Sequence, residues 1–340
     1  MEPVQDSIFI SSLRAFCKAI AVIFGITLAF IPVIILISLL STNTEVESKT
    51  TLTVMPDANG IREVRPSHSP VILHINLKGI IGNLNLTDEM IENQLIESRT
   101  GVLKNNRVKG VILYISSPGG SATDSDNIYR MLLRYKARYK VPIYAYEDGI
   151  CASGGVMISC AADKIYSSPS TIIGSVGALM GPFFNFKETM NKYGINSETI
   201  TEGKNKDMMS PFRAWKPDDD ASLKPLVAYY YDRFIQIVTN ARPRIDRTAL
   251  IEEYGANVFD PVKAEKLGYI DGIRDYSDTL TELLAAAGID PSKDYQVVQL
   301  SPKSSFLSCL VSTESWIGSL LQLFTKKEPN FLPQVPQVSY

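Results

Sequence analysis

The hydrophobic and polar positions of this chain divide it into one long apolar run and a region where short apolar strands alternate with helices. Residues 19–40, AIAVIFGITLAFIPVIILISLL, contain no charged side chain, and about 20 such residues cross a bilayer as a helix. The alternative is a cleaved signal peptide, but its apolar core spans roughly 7–15 residues and ends at an A-x-A-like site. No such site follows Leu40, so we predict an uncleaved transmembrane anchor over residues 19–40.

The charges that flank this run predict its orientation. Arg14 and Lys18 precede it, whereas Glu45 and Glu47 follow it. Because positively charged flanks stay in the cytoplasm, we expect residues 1–18 to be cytoplasmic and nearly all of the remaining chain to be extracytoplasmic.

After the anchor, a stretch rich in Ser, Thr, Glu and Pro predicts a flexible tether over residues 41–69. The α/β alternation follows. Strands are predicted at 71–81, 110–115, 142–146, 164–168, 171–179 and 197–201. Helices are predicted at 88–104 (with Thr87 as N-cap), 123–139, from about Ser153, 185–193, 218–241 and 261–267. Strands separated by helices predict a single α/β domain with a largely parallel sheet, over residues 70–290.

The last segment, residues 291–340, contains an amphipathic stretch at 306–324. A helix there could lie on a membrane surface, contact another subunit or fold back on its own domain, and the sequence leaves these alternatives open.

Composition narrows the classes of function. The chain has 340 residues and a net charge of −2, without the basic, aromatic-rich patch of nucleic-acid-binding proteins, so we expect no nucleic-acid partner. The four cysteines, Cys17, Cys151, Cys160 and Cys309, form no paired framework. No CxxC motif or cluster of His, Cys and carboxylate residues suggests a metal site, and we expect no cofactor.

Two strand ends carry the residues that suggest chemistry. Ser117-Pro118-Gly119-Gly120 follows one strand and Ala152-Ser153-Gly154-Gly155 follows the next. Taken alone, the first is most simply a strand-to-helix turn and Ser153 most simply an N-cap. Sites in open α/β sheets form beyond the carboxyl ends of strands, however, and together the two loops supply a serine nucleophile and two backbone N–H donors. Acyl transfer requires that arrangement.

The proton acceptor for such a serine must then be found. The chain has only two histidines: His74 alternates with apolar residues in a predicted strand, and His68 lies in the tether. A lysine used as a neutral amine is the remaining option, although its ordinary pKa of ~10.4 must be lowered by an apolar setting. Lys206, near Met208, Met209 and Phe212, fits best despite the adjacent Asp207. Lys204 remains the rival.

Four motifs in this order resemble the signal peptide peptidase A family of bacterial membrane serine proteases. They are PGG (118–120), CASGG (151–155), GSVG (174–177) and GKNKDMMSPF (203–212), and the resemblance covers roughly residues 70–290, as in the half-length form of the family. It implies a fold similar to that of caseinolytic protease and crotonase, and a Ser–Lys dyad.

Carried onto this sequence, the resemblance implies that Ser153 is the nucleophile, Lys206 the general base and Ser175 a hydroxyl that orients the lysine. The N–H groups of Gly120 and Gly154 would form the oxyanion hole. Cys151, and a serine in place of a third glycine after PGG, depart from the family pattern without touching these positions.

The family also implies a location, a substrate and an assembly. We expect a single-pass protein of the bacterial cell membrane that cleaves remnant signal peptides and other hydrophobic or unfolded peptides. Ring- or dome-shaped homo-oligomers are implied, with serine and lysine meeting across a subunit boundary. The alternatives are a crotonase-type acyl-coenzyme A enzyme and a non-catalytic membrane scaffold.

Overall fold

The computed structural model describes residues 14–26, 28–29, 50–83 and 86–302. The chain divides into two compact units, residues 1–48 and 49–340. In the first unit, residues 14–26 and 28–29 are helical. Within the described ranges no helix combines the length and the apolar character that crossing a membrane requires. Much of the predicted anchor, residues 27 and 30–40, lies outside these ranges, as does the whole predicted helix at 306–324.

The second unit is built on a mixed, mostly parallel sheet. In the described part of the chain its nine strands are β1 (Thr50–Met55), β2 (Val71–Lys78), β3 (Val108–Ser117), β4 (Ile143–Ala152), β5 (Lys164–Ser167), β6 (Ile172–Gly174), β7 (Val258–Phe259), β8 (Gly272–Ile273) and β9 (Gln296–Pro302). The main order is β1-β9-β2-β3-β4-β5-β8, and β6 pairs with the end of β4 and with β7. Only the β1–β9 and β6–β7 pairs are antiparallel. The predicted α/β class with a largely parallel sheet is therefore confirmed.

Helices pack against both faces of this sheet, and a further short helix at Lys187–Lys192 has no buried residue. The helices are α1 (Asp88–Glu97), α2 (Ala122–Tyr139), α3 (Gly154–Ser159), α4 (Lys187–Lys192), α5 (Leu223–Ala241), α7 (Pro261–Leu267) and α8 (Tyr276–Ala286), with α6 (Arg247–Ala249) a single turn that continues into a π-helical turn over Leu250–Tyr254. Thr87 caps α1 as predicted, because its Oγ1 accepts a hydrogen bond from the Met90 N–H at 3.3 Å.

Alternate residues of the central strands pack in two separate hydrophobic cores, because successive side chains of a strand point to opposite faces. Ile72 and Ile112 pack with Leu283 of α8 in one core. Leu73 and Val111 belong to the other, larger core, which α1, α2, α3 and α5 cover. Both faces of the central strands are thus buried, which explains their nearly continuous apolar sequences.

The sheet extends past both predicted domain limits. Thr50–Met55 lies inside the predicted tether (41–69), yet it forms β1 and pairs with β9. That partner strand, Gln296–Pro302, begins after the predicted domain end at residue 290. Neither segment has a strong apolar run, and each becomes a strand by pairing with segments more than 200 residues away.

Several predicted elements differ from the structure. The strand predicted over 171–179 is confined to Ile172–Gly174. Residues 197–201 form no strand and are exposed. The helix predicted over 88–104 ends at Glu97, before Gly101, which has a φ of +52°. The helix predicted from 218 starts at Leu223, because Asp219 turns back to bind the Arg213 side chain.

Candidate active site

The loop after β3 is held tightly against Ile81. The Ile81 N–H donates to the Gly119 carbonyl at 2.9 Å, and the Ser121 N–H donates to the Ile81 carbonyl at 2.8 Å. Between these two bonds Gly120 has a φ of +153°, and a Cβ placed on it would lie 2.1 Å from the Ile81 carbonyl oxygen. The Ile81 backbone lies so close that only glycine fits at position 120, and the loop is therefore more than a generic strand-to-helix turn.

Ser153 occupies the sharp connection between β4 and α3. Its backbone has φ +51° and ψ −118°, a combination that costs a non-glycine residue about 1–3 kcal/mol. The Ser153 N–H donates to the Gly174 carbonyl at 2.9 Å, which fixes the turn to β6. The Ser153 hydroxyl makes no capping bond to α3, so the N-cap interpretation is wrong and the side chain is left for another use.

Two backbone N–H groups lie free beside this serine. In the described part of the chain, neither Gly120 N–H nor Gly154 N–H donates to a protein acceptor. A Cβ on Gly119 would lie 2.7 Å from the Ser153 Cβ, and one on Gly154 would lie 2.2 Å from the Ser125 Oγ. The small residues thus bring the two loops into contact, and both unpaired N–H groups belong to residues of the same cavity as Ser153.

This cavity measures about 620 Å³. Ser153, Ser175, Gly120 and Gly154 all line it. Ser175 has a φ of +56° and is anchored by its N–H, which donates to the Asn257 carbonyl at 2.7 Å. The remaining wall is largely apolar, with side chains from α3, α5 and the segment after β6: Met157, Leu179, Met180, Val227, Tyr230 and Phe234.

Lys206 does not line this cavity, and neither does its rival Lys204. Both lysines are exposed in the connection between α4 and α5. Four of the five sequence-predicted site residues therefore meet within one chain, and the predicted base does not join them.

The histidines take no part in the cavity either. Burial lowers the pKa of His74 to about 4, and its Nδ1 is 2.9 Å from the Tyr276 hydroxyl under α8. His74 is thus a structural residue, as the strand pattern predicts, and His68 is exposed.

The base-bearing region has an unusual surface. We call residues 178–218 the arm. None of its residues is buried, although it carries several large apolar side chains; Leu179 is 86% exposed and Ile200 is 93% exposed. Large apolar side chains exposed in this number on one segment are a candidate interaction surface.

Sequence reasoning missed a buried carboxyl behind the nucleophile. Glu147 on β4 is only 1% exposed, and this burial raises its pKa to about 7. Cys151, two residues before Ser153, and Ser159 on α3 partly offset this rise, and Glu147 Oε2 has no hydrogen-bond partner in the described part of the chain. The signal was present in the sequence, since a Glu interrupts the otherwise apolar strand IYAYEDG.

Comparison with known proteins identifies families that share this region. Residues 136–290 match the model of peptidase family S49, and residues 73–174 match the model of Clp protease. A protein named putative signal peptide peptidase SppA from Enterococcus faecium is 29% identical over 217 residues, which cover 62% of this chain and 62% of that protein. Protease 4 of Salmonella typhi is 28% identical over 237 residues, 68% of this chain and 36% of that protein.

The chain thus spans less than two thirds of the length of each of these relatives. Among solved structures, a point mutant of ClpP1 from Listeria monocytogenes aligns at 17% identity with a TM-score of 0.39, over 61% of this chain and 94% of that chain. The family models and the named relatives confirm the resemblance that the four sequence motifs predict.

Proposed function

We propose that the protein is a serine endopeptidase that uses Ser153 and Lys206 as a catalytic dyad, because residues 136–290 of this chain match the model of peptidase family S49. The observation that carries the proposal is the strained turn at Ser153. It presents an uncapped hydroxyl to a cavity where two unpaired N–H groups, of Gly120 and Gly154, are already in place. Donors preorganised in this way stabilise the charge that develops in acyl transfer.

In the proposed reaction, Ser153 Oγ attacks the carbonyl carbon of the scissile peptide bond while the neutral Lys206 amine takes the hydroxyl proton. The carbonyl oxygen becomes an oxyanion that the Gly120 and Gly154 N–H groups bind, each worth about 3 kcal/mol of barrier. The C–N bond then breaks, and the Lys206 ammonium gives its proton to the leaving amine. Water, deprotonated by Lys206, finally hydrolyses the acyl-serine ester.

We propose that Lys206 reaches Ser153 of a neighbouring copy of the chain. Two observations support this: Lys206 is exposed and lies outside its own chain's cavity, and the arm that carries it exposes large apolar side chains. A homo-oligomer would cover that surface and complete the site. Ser175, whose backbone is fixed at the cavity wall, would then orient the incoming amine by a hydrogen bond.

The proposed substrates are remnant signal peptides and other hydrophobic or unfolded peptides. The apolar wall formed by Met157, Tyr230 and Phe234 suits apolar side chains on either side of the scissile bond. We further propose that residues 19–40 anchor the protein in the bacterial cell membrane, with the catalytic domain outside the cytoplasm, because an anchor holds the site near peptides that remain in the bilayer.

The acyl-coenzyme A alternative lacks support at the site. Such an enzyme needs an acid or base beside the oxyanion hole, and no Asp or Glu lines the cavity in the described part of the chain.

The test uses the full-length chain in detergent and a fluorogenic peptide with apolar residues around the cleaved bond. We expect Ser153→Ala and Lys206→Ala each to lower kcat/KM at least ~10³-fold, because each removes a reacting group. Lys204→Ala is the matched control and should keep wild-type activity. Retained activity in Ser153→Ala or Lys206→Ala would contradict the dyad.

A mixing experiment tests the shared site. Co-assembled Ser153→Ala and Lys206→Ala chains should regain activity, because some junctions then combine an intact Ser153 with an intact Lys206. Inactive mixtures of confirmed mixed oligomers would show that the dyad forms within one chain.

A further inference from the structure

The loop that carries Lys206 is organised around one guanidinium. Arg213 uses all five of its N–H donors, each on a different acceptor. Its Nε donates to Asp207 Oδ2 at 2.5 Å, its Nη1 to the Ala214 carbonyl at 2.9 Å and to Asp219 Oδ2 at 2.5 Å. Its Nη2 donates to the Asp207 carbonyl and to Asp219 Oδ1, both at 2.8 Å. We call Arg213, Asp207 and Asp219 the clasp.

The clasp replaces the apolar core that this loop lacks. No residue between 203 and 218 is buried, whereas the Asp219 side chain, which the clasp holds, is only 5% exposed. The loop is also tied to the start of α4, because the Asn185 side-chain amide donates to the Arg213 carbonyl at 2.9 Å. A network of charge-assisted hydrogen bonds therefore fixes a segment that would otherwise be free to move.

The clasp also determines what the Lys206 amine encounters. Asp207 is adjacent in sequence and is the nearest carboxylate along the chain, but Arg213 holds both its side chain and its carbonyl. Arg213 is the first cause of the lowered pKa of Asp207, and Lys216 adds to it. Among the described residues Lys206 makes no ion pair of its own. At the start of α4, Asn185 and Phe186 donate hydrogen bonds to this loop through neutral groups.

We propose that Arg213 is a positioning residue for the general base: it fixes the loop that presents Lys206 and keeps Asp207 from pairing with the Lys206 amine. This inference rests on the proposed Ser–Lys function. A general base must be unprotonated to act, and a free carboxylate beside a lysine favours the charged ammonium. Arg213 thereby keeps the Asp207 carboxylate occupied and holds the geometry in which the base is presented to a neighbour's serine.

The experiment compares pH profiles of kcat/KM for the full-length oligomer. Arg213→Met keeps the length of the side chain and removes its donors, which frees Asp207. We expect the acid limb of the profile to move up by about one pH unit, and kcat/KM at pH 7 to fall about tenfold. In the double variant Arg213→Met/Asp207→Asn the carboxylate is gone, so the limb should return to its wild-type position. A merely structural role would leave the double variant no better than the single one.

Arg247→Met is the matched control, because it breaks another Arg–Asp pair, with Asp232 on α5, away from the loop. Its profile should match that of the wild type. An unmoved limb in Arg213→Met, or a limb that stays shifted in the double variant, overturns the proposal.

Asp207→Asn alone decides the question if Arg213→Met fails to assemble, because asparagine still offers Arg213 an oxygen. We expect its acid limb to coincide with that of the wild type, since Arg213 already neutralises Asp207. A downward shift of about one pH unit would mean that the Asp207 charge acts on Lys206 in the native protein, and the proposal would be wrong. Lys206→Ala, assayed in parallel, distinguishes a failure of the proposed dyad from a failure of the proposed role of Arg213. If Lys206→Ala stays active, the proposed dyad is wrong. If Lys206→Ala is inactive while the acid limb of Arg213→Met does not move, only the proposed role of Arg213 is wrong.

Discussion

The two halves of the proposed dyad sit in opposite kinds of structure. Ser153 ends a buried parallel strand and is held by backbone contacts so close that neighbouring positions admit no side chain. Lys206 lies on an arm without buried residues, where polar contacts to Arg213 replace a core. The nucleophile and its oxyanion donors are preorganised within one chain, whereas the base is preorganised only within its loop. A complete site therefore needs a contact that brings Lys206 to Ser153, and we propose that a neighbouring copy of the chain supplies it.

The largest expected effect is the loss of activity in Gly120→Ala, which we compare with Gly194→Ala because both glycines have a positive φ. Gly120→Ala should lower kcat/KM by about 10²–10³-fold, because its Cβ would collide with the Ile81 backbone and displace an oxyanion donor. Gly194→Ala, on the arm, has φ +67° and open space around the new Cβ. We expect it to cost only about 1 kcal/mol of stability with activity retained. Equal activity losses in the two variants, measured with the same peptide, would contradict the contrast.

The second prediction concerns the buried carboxyl on the nucleophile side. The pKa of Glu147 rises from 4.5 to about 7 on folding because of burial. Between these values the Glu147 carboxyl binds more protons in the folded than in the unfolded protein, so its contribution to the free energy of unfolding should fall by about 3 kcal/mol as pH rises from 4.5 to about 7. His74, whose pKa burial lowers from 6.5 to about 4, contributes in the opposite direction over much of this window. Denaturant unfolding of the wild type and of Glu147→Gln, each at about pH 5 and about pH 8, measures this loss as the difference between the two proteins.

Glu147→Gln should remove that part of the pH dependence, since glutamine does not titrate. Asp207→Asn, on the exposed arm, should leave the same window unchanged, because the pKa of Asp207 is lowered rather than raised. A Glu147→Gln protein with the wild-type pH dependence would place the titrating group elsewhere.

The third prediction concerns the exposed apolar side chains of the arm. The double variant Phe184→Asp/Ile200→Asp puts charges on two exposed apolar positions, and we expect oligomers to dissociate and activity at fixed concentration to fall at least tenfold. The unfolding midpoint of the dissociated chain should change little, since neither side chain is part of the core. Val64→Asp, also exposed but outside the arm, serves as the control in light scattering, and a wild-type mass for the arm variant would contradict the proposed interface.

The smallest expected effect is the change in stability when the backbone strain at Ser153 is relieved. Ser153→Gly should be more stable than Ser153→Ala by about 1 kcal/mol, because glycine adopts φ +51° without the cost that a Cβ imposes, less its own chain entropy. Thermal unfolding should show a difference of about 2–4 °C. If alanine proved the more stable of these inactive variants, the turn would carry no strain.

Much of the nucleophile side could be predicted from the sequence. Strand and helix patterns placed the Gly120 and Ser153 loops at the same sheet edge, and the structure puts both in one cavity with Ser175. The limits of the sheet could not be predicted, because β1 pairs with β9, and β9 with both β1 and β2, across more than 200 residues of the chain. The strand predicted at 197–201 is wrong for the same reason: its β-branched residues find no pairing partner in the described structure.

The sequence by itself determined the α/β class, the serine and glycine loops and the preference for a lysine over a histidine as the predicted base, since these depend on local patterns and residue type. Only the tertiary structure decided that Ser153 does not cap its helix, that Ile81 forces glycine at position 120, and that Asp207 is paired with Arg213 rather than with its neighbour Lys206. These features depend on contacts between residues distant in the chain or on side-chain geometry within a folded loop. Spacing along a sequence does not record either of them.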